Sequence, residues 1–446
     1  MYTKSLQSDD VRVTVNHQFV SSSHGALLTS ETDLAPRVLY CTDTYPPQVN
    51  GVSVVTARTA AGLRARGWKV GVIAPRYPSR PRQGVRQFVD EFESADLHVE
   101  LPSVAFPPYP DIRLAAPAYW RIARTVREFQ PDVVHCATEF MIGRLGQIAA
   151  RRAGIPLVSS YHTDFSRYAD AYGAQRLRTM VSNYIARFHG RAQRTYTPSR
   201  MARGDLVALG VRDVEVWGRT IDARTFAPER RDLMFRQLNG WDRKFVLLHV
   251  GRLAAEKSVH TILEGFRIAR GLLPAGSVHL VVAGGGPDEP GLRRAASSDV
   301  TFLGVLDHKY ALPQLYASAD AFAFASLTET LGLVVLEAMA SGLPVIATPA
   351  GGVADHLRHG ENGLAFPAGN ATEMAHAVVR LVMDSQLRDE LARGARRTAE
   401  ALDWEGELDR LDASYREVNA AHAGLVRGGR HPQSRSRELK ALQPLG

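Results

Sequence analysis

The chain has 446 residues, 45% of them hydrophobic, and a formal charge of +8. It can build two cores of ordinary domain size, and its two cysteines, Cys41 and Cys136, leave no disulfide framework; both fall on predicted strands, which points to buried thiols in a reducing compartment. The first 30 residues lack the apolar core of a secretory signal, and the best candidate for a spanning helix, after Glu337, is broken by Gly342, Pro344 and Pro349.

Residues 1–36 are weakly periodic and carry Ser21-Ser22-Ser23, the composition of a poorly ordered leader. From Arg37 the pattern becomes strand, glycine-containing turn, helix. Val38–Cys41 is a short apolar run of buried-strand type, followed by a helix over Val52–Arg66 and a strand over Lys69–Ala74. Further strands are predicted at Val133–Cys136, Leu157–Tyr161, Thr195–Thr197 and Val214–Trp217. This first α/β unit spans 37–222. The charged segment 223–242 reads as a linker. A second series starts at Phe245–Val250 and continues with His279–Ala283, Val300–Leu303, Ala321–Ala325 and Pro344–Thr348, a second unit over 243–402. Helices run on to about Ala421, and 423–446 form a basic tail rich in arginine. Alternating strands and helices imply two doubly wound, Rossmann-like α/β domains with parallel sheets covered on both faces. Two such domains joined once face each other across a cleft, and ligands bind beyond the carboxyl ends of the strands.

The candidate chemistry falls at those strand ends. Asn50-Gly51 follows the first strand, where a glycine lets backbone approach a phosphate or sugar; turn chemistry alone also explains it. His162, with Asp164 two residues on, follows Leu157–Tyr161 and could bind a metal, act as a base or cap a turn. The metal role lacks companions: no histidine–cysteine cluster and no Asp-x-Asp occurs, so the site is read as metal-independent. Arg252 and Lys257 follow the first strand of the second unit and could neutralise a diphosphate leaving group. Glu256 stands where a P-loop needs its second glycine, which disfavours an NTPase. Gly284-Gly285-Gly286-Pro287 lacks dinucleotide-binding spacing and reads as a turn. Glu329 and Glu337 stand eight positions apart, with Gly332 opening a helix between them. Backbone N–H groups at Gly332 and Leu333 then favour an anion. Two acids around an anion site suit a ligand with hydroxyls and phosphate; an acid near a helix start plus a solvated mid-helix Glu gives the same pattern.

Ser326–Pro344 resembles the glutamate-x7-glutamate signature of retaining GT-B glycosyltransferases of glycosyltransferase family 4. The match extends to Pro46-Pro47-Gln48-Val49-Asn50-Gly51-Val52, Ser160-Tyr161-His162-Thr163-Asp164, Gly251–Lys257 and Gly284–Pro287, in order from about residue 37 to 422. Leu101-Pro102-Ser103 and Tyr109-Pro110 point to the bacterial mannosyltransferase and sulfolipid-synthase-like branch. The resemblance implies the following roles. Glu337 holds the ribose and Glu329 the hydroxyls of the donor sugar. Arg252 and Lys257 stabilise the leaving diphosphate, against which Gly51 also lies. His162 stands beside the transferred sugar, Gly284 near the nucleotide, and the backbone of Val305 and Leu306 on the base edge. It implies helix 403–422 crossing back to the first domain, and a nucleotide sugar donor without metal or other cofactor. The donor is GDP-mannose or a UDP-hexose, and the acceptor a glycolipid or lipid-linked precursor rather than nucleic acid. Where the family often has Arg-Gly-Val-Asp, this chain has Arg219-Thr220-Ile221-Asp222, which leaves the role of Arg219 open. A UDP-sugar 2-epimerase of the same fold and a non-catalytic binding module are the alternatives. Basic amphipathic stretches at Tyr119–Phe129 and Leu177–Arg194 suggest a cytoplasmic protein docked peripherally on the inner face of the cell membrane, although an apolar stripe that packs on its own sheet gives the same pattern.

Overall fold

A computed structural model describes residues 13–15, 35–48, 50–77, 95–106, 109–162, 178–219 and 221–427. The first sheet takes its strands from β1 (Val13–Val15), β2 (Arg37–Cys41), β3 (Lys69–Pro75), β4 (Leu97–Leu101), β7 (Val133–Cys136), β8 (Leu157–Ser160), β9 (Arg194–Thr197) and β10 (Val214–Val216). Its order is β1-β4-β3-β2-β7-β8-β9-β10, parallel except for β1, which pairs antiparallel with β4. A separate hairpin joins β5 (Ser103–Phe106) to β6 (Tyr109–Ala115). The second sheet is parallel throughout: β13 (Val300–Gly304), β12 (Val278–Ala283), β11 (Phe245–Val250), β14 (Ala321–Phe324), β15 (Val345–Ala347) and β16 (Gly363–Ala365), in that order.

Both sheets are buried on both faces, which is why their central strands read as unbroken apolar runs rather than alternating ones. Leu247 and Leu280 face one core of the second sheet, Leu248 and Val281 the other. In the first sheet, Val38 and Tyr40 face one core, Leu39 and Cys41 the opposite one. The strand order reverses between β2 and β7 in the first sheet and between β11 and β14 in the second. A crevice opens beyond the strand ends at each reversal.

Three segments differ from the sequence expectation. Val13–Val15, inside the expected leader, adds an edge strand. Segment 223–242 is packed into the second domain rather than solvated: Phe226 and Trp241 enter its core. There the Arg236 guanidinium is buried and donates to the carbonyls of Ser318, Trp241 and Lys244 and to Asp320. The Arg236 charge of this segment satisfies carbonyls at a helix end and in the loop before β11, and does not mark a loose tether. The apolar stripe of helix Tyr119–Phe129 packs on its own sheet, with Ile122 and Val126 in the core and Arg124 paired to Glu128. That stripe is not free to enter a membrane. Among the described residues no helix is long and apolar enough to cross one.

The last helix, Trp404–Arg427, leaves the second domain and covers one face of the first sheet. Leu411, Tyr415 and Val418 join that core, and the Tyr415 hydroxyl meets Tyr40 Oη at 2.8 Å and His135 Nδ1 at 2.5 Å. Trp68 Nε1 donates to Asp412 at 2.6 Å and Trp217 Nε1 to the Glu407 carbonyl at 2.6 Å. Leu411→Ala should cost about 3 kcal/mol through the lost burial and the cavity it leaves. Chemical denaturation followed by tryptophan fluorescence checks this; an unshifted midpoint would show that the helix contributes no packing to the first domain.

Candidate active site

The crevice of the second sheet is built by two loops that follow β11 and β14. The first begins at Gly251 and ends in a short 3₁₀ turn, Ala255–Lys257. Its glycine neighbours have a packing reason. A Cβ on Gly284 would lie 1.9 Å from the Gly251 carbonyl oxygen, and one on Gly286 2.2 Å from that of Leu253. The loops after β11 and β12 thus cross backbone to backbone, with Leu253 N donating to the Gly285 carbonyl at 3.0 Å. This crossing aims Arg252 and Lys257 at the crevice. Arg252 pairs with the buried carboxylate of Glu256, and Lys257 Nζ pairs with Glu329 Oε1. Glu329 and Lys257 side chains are only 16% and 13% exposed. Burial pushes the Glu329 carboxyl up, but Lys257, Ser326 and Arg252 outweigh it and hold the group below its ordinary value. Glu329 is therefore a carboxylate and Lys257 its counter-ion.

The loop carrying Glu329 is clamped from behind. Gly352 N donates to the Glu329 carbonyl at 2.7 Å. A Cβ on Gly351 would lie 2.1 Å from the Glu329 oxygen, and one on Gly352 2.3 Å from that of Thr330. Gly332 adopts the left-handed conformation at φ 77° and starts the helix Leu333–Ala340 with no side-chain cap. Glu337, one turn in, is buried rather than solvated. Its oxygens accept from His308 Nε2 at 2.8 Å and the Tyr316 hydroxyl at 2.9 Å. Burial, with Glu337 close by, drives the Tyr316 phenol well above its ordinary value, so it stays a donor. Val305 stands 74% exposed at the end of β13, and Leu306 packs partly into the core.

The first domain contributes His162 at the end of β8. Its carbonyl accepts from the Thr330 hydroxyl, the residue next to Glu329, so the two strand ends meet across the cleft. Burial, helped by nearby His189, pushes the His162 imidazole down to about 4, so it is neutral at pH 7. A second tie links the domains beside the cleft: Arg200 N donates to Asp355 Oδ2 at 2.7 Å, and Arg219 Nη1 lies 3.9 Å from the same oxygen. Arg219 thus has an interdomain role here, and Gly218 before it takes positive φ. Asp164 and Thr220 lie outside the described residues.

Asn50 is committed locally. Its side chain accepts from Ser53 N at 2.9 Å while Asn50 N donates to Ser53 Oγ at 3.0 Å, a capping box at the start of helix Gly51–Ala65, and Nδ2 donates to Thr44 at 2.8 Å. A Cβ on Gly51 would meet nothing within 4 Å, so the space before that helix is open. Beside it lie groups that the sequence did not single out. Asp43 is buried against Thr138, with its oxygens accepting from Ile142 N at 2.9 Å and Gly143 N at 3.3 Å. Glu139 is buried against His189 Nε2 at 3.2 Å. His308, Tyr316 and Thr330 were also missed; each acts through a contact distant in sequence, for which no local spacing exists.

Arg252, Lys257, Glu329 and His162 therefore converge, while Glu337 sits deeper on its own pair of donors. Among the described residues, no group of three or more His, Cys, Asp or Glu is arranged to hold a metal ion. Residues 49–225 match the family profile described as Glycosyltransferase Family 4, and residues 244–384 the profile described as Glycosyl transferases group 1. A GDP-mannose-dependent alpha-mannosyltransferase of Mycobacterium tuberculosis is 35% identical over 86% of this chain and 97% of its own. The chain belongs to glycosyltransferase family 4. This glycosyltransferase is also 31% identical to an alpha-monoglucosyldiacylglycerol synthase of Streptococcus pneumoniae, over 70% of each chain. In fold it is similar to the Anabaena protein Alr3699/HepE, solved in complex with UDP and glucose: TM-score 0.67 at 21% identity, covering 84% of this chain and 98% of that one. The two domains and their cleft are thus the GT-B arrangement.

Lys257→Ala tests the ion pair without substrate. The Glu329 carboxyl sits below its ordinary value in the folded chain, so its stabilising share is present at neutral pH and fades as pH falls through that lowered value. Without Lys257, burial dominates and the carboxyl rises, which destabilises the fold at neutral pH. The variant should lose about 2 kcal/mol at pH 7, and the gap should narrow on acidification. Paired thermal melts at neutral and acid pH read this; a gap that stays constant would mean that Lys257 does not govern Glu329.

Proposed function

We propose that this glycosyltransferase moves a hexosyl group, with retention and without a metal, from a nucleotide-diphosphate sugar to a lipid acceptor, with GDP-mannose as the preferred donor. The observation that carries the reading is the meeting of His162 with the Glu329 loop, beside Arg252 and Lys257. Two cations at one strand end suit a leaving diphosphate, where charge appears as the glycosidic bond breaks. A carboxylate beside them suits the donor sugar's hydroxyls once Lys257 turns toward phosphate. Glu337 suits the ribose hydroxyls, which take the place of His308 on its exposed side. The bond from the anomeric carbon to the phosphate oxygen breaks, and the acceptor oxygen bonds to the same face. The acceptor proton passes to the departing phosphate, so no protein nucleophile is needed. The His162 carbonyl and its neutral imidazole offer lone pairs to the positive charge that develops on the sugar ring. Closure of the two domains excludes water, which would otherwise hydrolyse the donor.

The mycobacterial relative supports GDP-mannose, and the lipid-named pneumococcal relative supports a lipid acceptor on a membrane surface. The net charge of +8 suits peripheral association with anionic lipid. The assay is turnover of radiolabelled GDP-mannose on an extracted lipid acceptor fraction in excess chelator. Activity should persist, and Arg252→Ala should lower it by about 10²–10³. Faster turnover of UDP-glucose would overturn the choice of donor, and loss restored by added magnesium would overturn the metal-free mechanism.

A further inference from the structure

Helices Met141–Ala153 and Arg178–His189 lie side by side on one face of the first sheet, with Gln147 Nε2 donating to the Phe188 carbonyl at 2.8 Å. Neither contains an Asp or Glu. A groove of about 220 Å³ between them is lined by Arg144, Ile148, Arg151, Arg152 and Arg191. Arg187 stands in the adjoining depression with Thr179, Met180, Asn183 and Tyr184. Among the described residues, three of these arginines have uncharged partners: Arg144 donates to Gln147, Arg191 to the Arg187 carbonyl, and Arg152 lies over the Tyr119 ring at 5.0 Å. Burial lowers the Arg191 guanidinium below its ordinary value, and Arg144, Arg151 and Arg187 lower it further, which marks uncompensated positive charge. Glu139, at the cleft end of this face, is turned inward to His189.

Both helices start at the cleft edge of the sheet. At that end the surface becomes apolar, with Met180 62%, Phe140 54%, and Met141 and Tyr184 each 41% exposed. A strip that runs from apolar side chains beside the cleft to clustered guanidinium groups matches the depth profile of a bilayer surface. Apolar groups enter the acyl boundary and arginines meet the phosphates. A nucleic acid or an acidic protein would use the charge and leave the methionines in water.

We propose that the face between these two helices docks the phosphates of anionic lipid headgroups and turns the cleft mouth toward the membrane. The proposal rests on the lipid-acceptor reading for its choice of partner, and it moves the contact away from helix Tyr119–Phe129, whose stripe is packed and whose Arg124 is paired.

The test is sedimentation of the full chain with vesicles of phosphatidylcholine carrying about one-third phosphatidylglycerol, against pure phosphatidylcholine. The parent should bind the anionic vesicles and not the neutral ones, and should release as salt is raised. R144Q/R151Q/R191Q should bind about 100-fold more weakly, at about fivefold per charge. R380Q/R393Q/R397Q, which removes equal charge from the second domain, should bind like the parent. Equal loss in both triples, no loss in the groove triple, or no parental binding at low salt overturns the proposal. So does full release by inorganic phosphate at matched ionic strength, which would make the groove a small-anion site. A thermal shift with GDP, run on the parent alongside, reports on the transferase reading separately: stabilisation by GDP with no vesicle binding removes only the docking face.

Discussion

The Lys257–Glu329 ion pair is the constraint around which the site is arranged. It joins the loops that follow β11 and β14, the two strands between which the second sheet reverses its order. Both partners are mostly buried, so neither is stable there alone. Every close backbone approach nearby serves to place them: Gly284 and Gly286 against the Lys257 loop, Gly351 and Gly352 against the Glu329 loop. Arg252 reaches the same crevice, and Thr330 carries the constraint across the cleft to His162. On the proposed reading, sugar hydroxyls take over the carboxylate and phosphate takes over the lysine when the donor binds. Binding of that kind would exchange one set of charged contacts for another and leave no charge buried without a partner.

The same logic covers Glu337. His308 and Tyr316 hold its two oxygens, His308 partly exposed and Tyr316 in the core. On the proposed reading, the core partner keeps the carboxylate fixed and the outer one gives way to ribose hydroxyls. Farther out, helix Trp404–Arg427 makes the first domain depend on a segment that follows the second in sequence. The two domains are therefore coupled through this helix, through Thr330–His162, and through Asp355, and opening of the cleft must break the last two while the helix stays docked.

Much of this was legible in the sequence because buried parallel strands are continuous apolar runs. Val133–Cys136 and Phe245–Val250 begin and end where the pattern places them, and the motifs follow their strands. Gly332 was readable as a helix start because no other residue takes its left-handed conformation as cheaply. The shorter or more polar strands were not legible: Leu97–Leu101 carries His98 and Glu100, and Gly363–Ala365 is three residues long. Asn50 read as a ligand contact, yet its side chain caps a helix, because Ser53 three positions on completes the box. The charge of segment 223–242 misled for a tertiary reason: Arg236 is buried against the Ser318 carbonyl and Asp320, which only the folded domain brings to it. The amphipathic stripe at Tyr119–Phe129 is real as a period, but its own sheet claims it.

The central claim is that Glu329 answers to the donor's sugar and not to its nucleotide. Calorimetric titration of the parent and of Glu329→Gln with GDP and with intact GDP-mannose separates the two. The account predicts that the variant keeps its affinity for GDP to within about threefold, while the extra affinity that the mannosyl group adds in the parent disappears, a loss of about 1.5–3 kcal/mol for a hydrogen-bonded charged group. A variant that loses GDP and GDP-mannose equally, or that still gains from the sugar as the parent does, would contradict it.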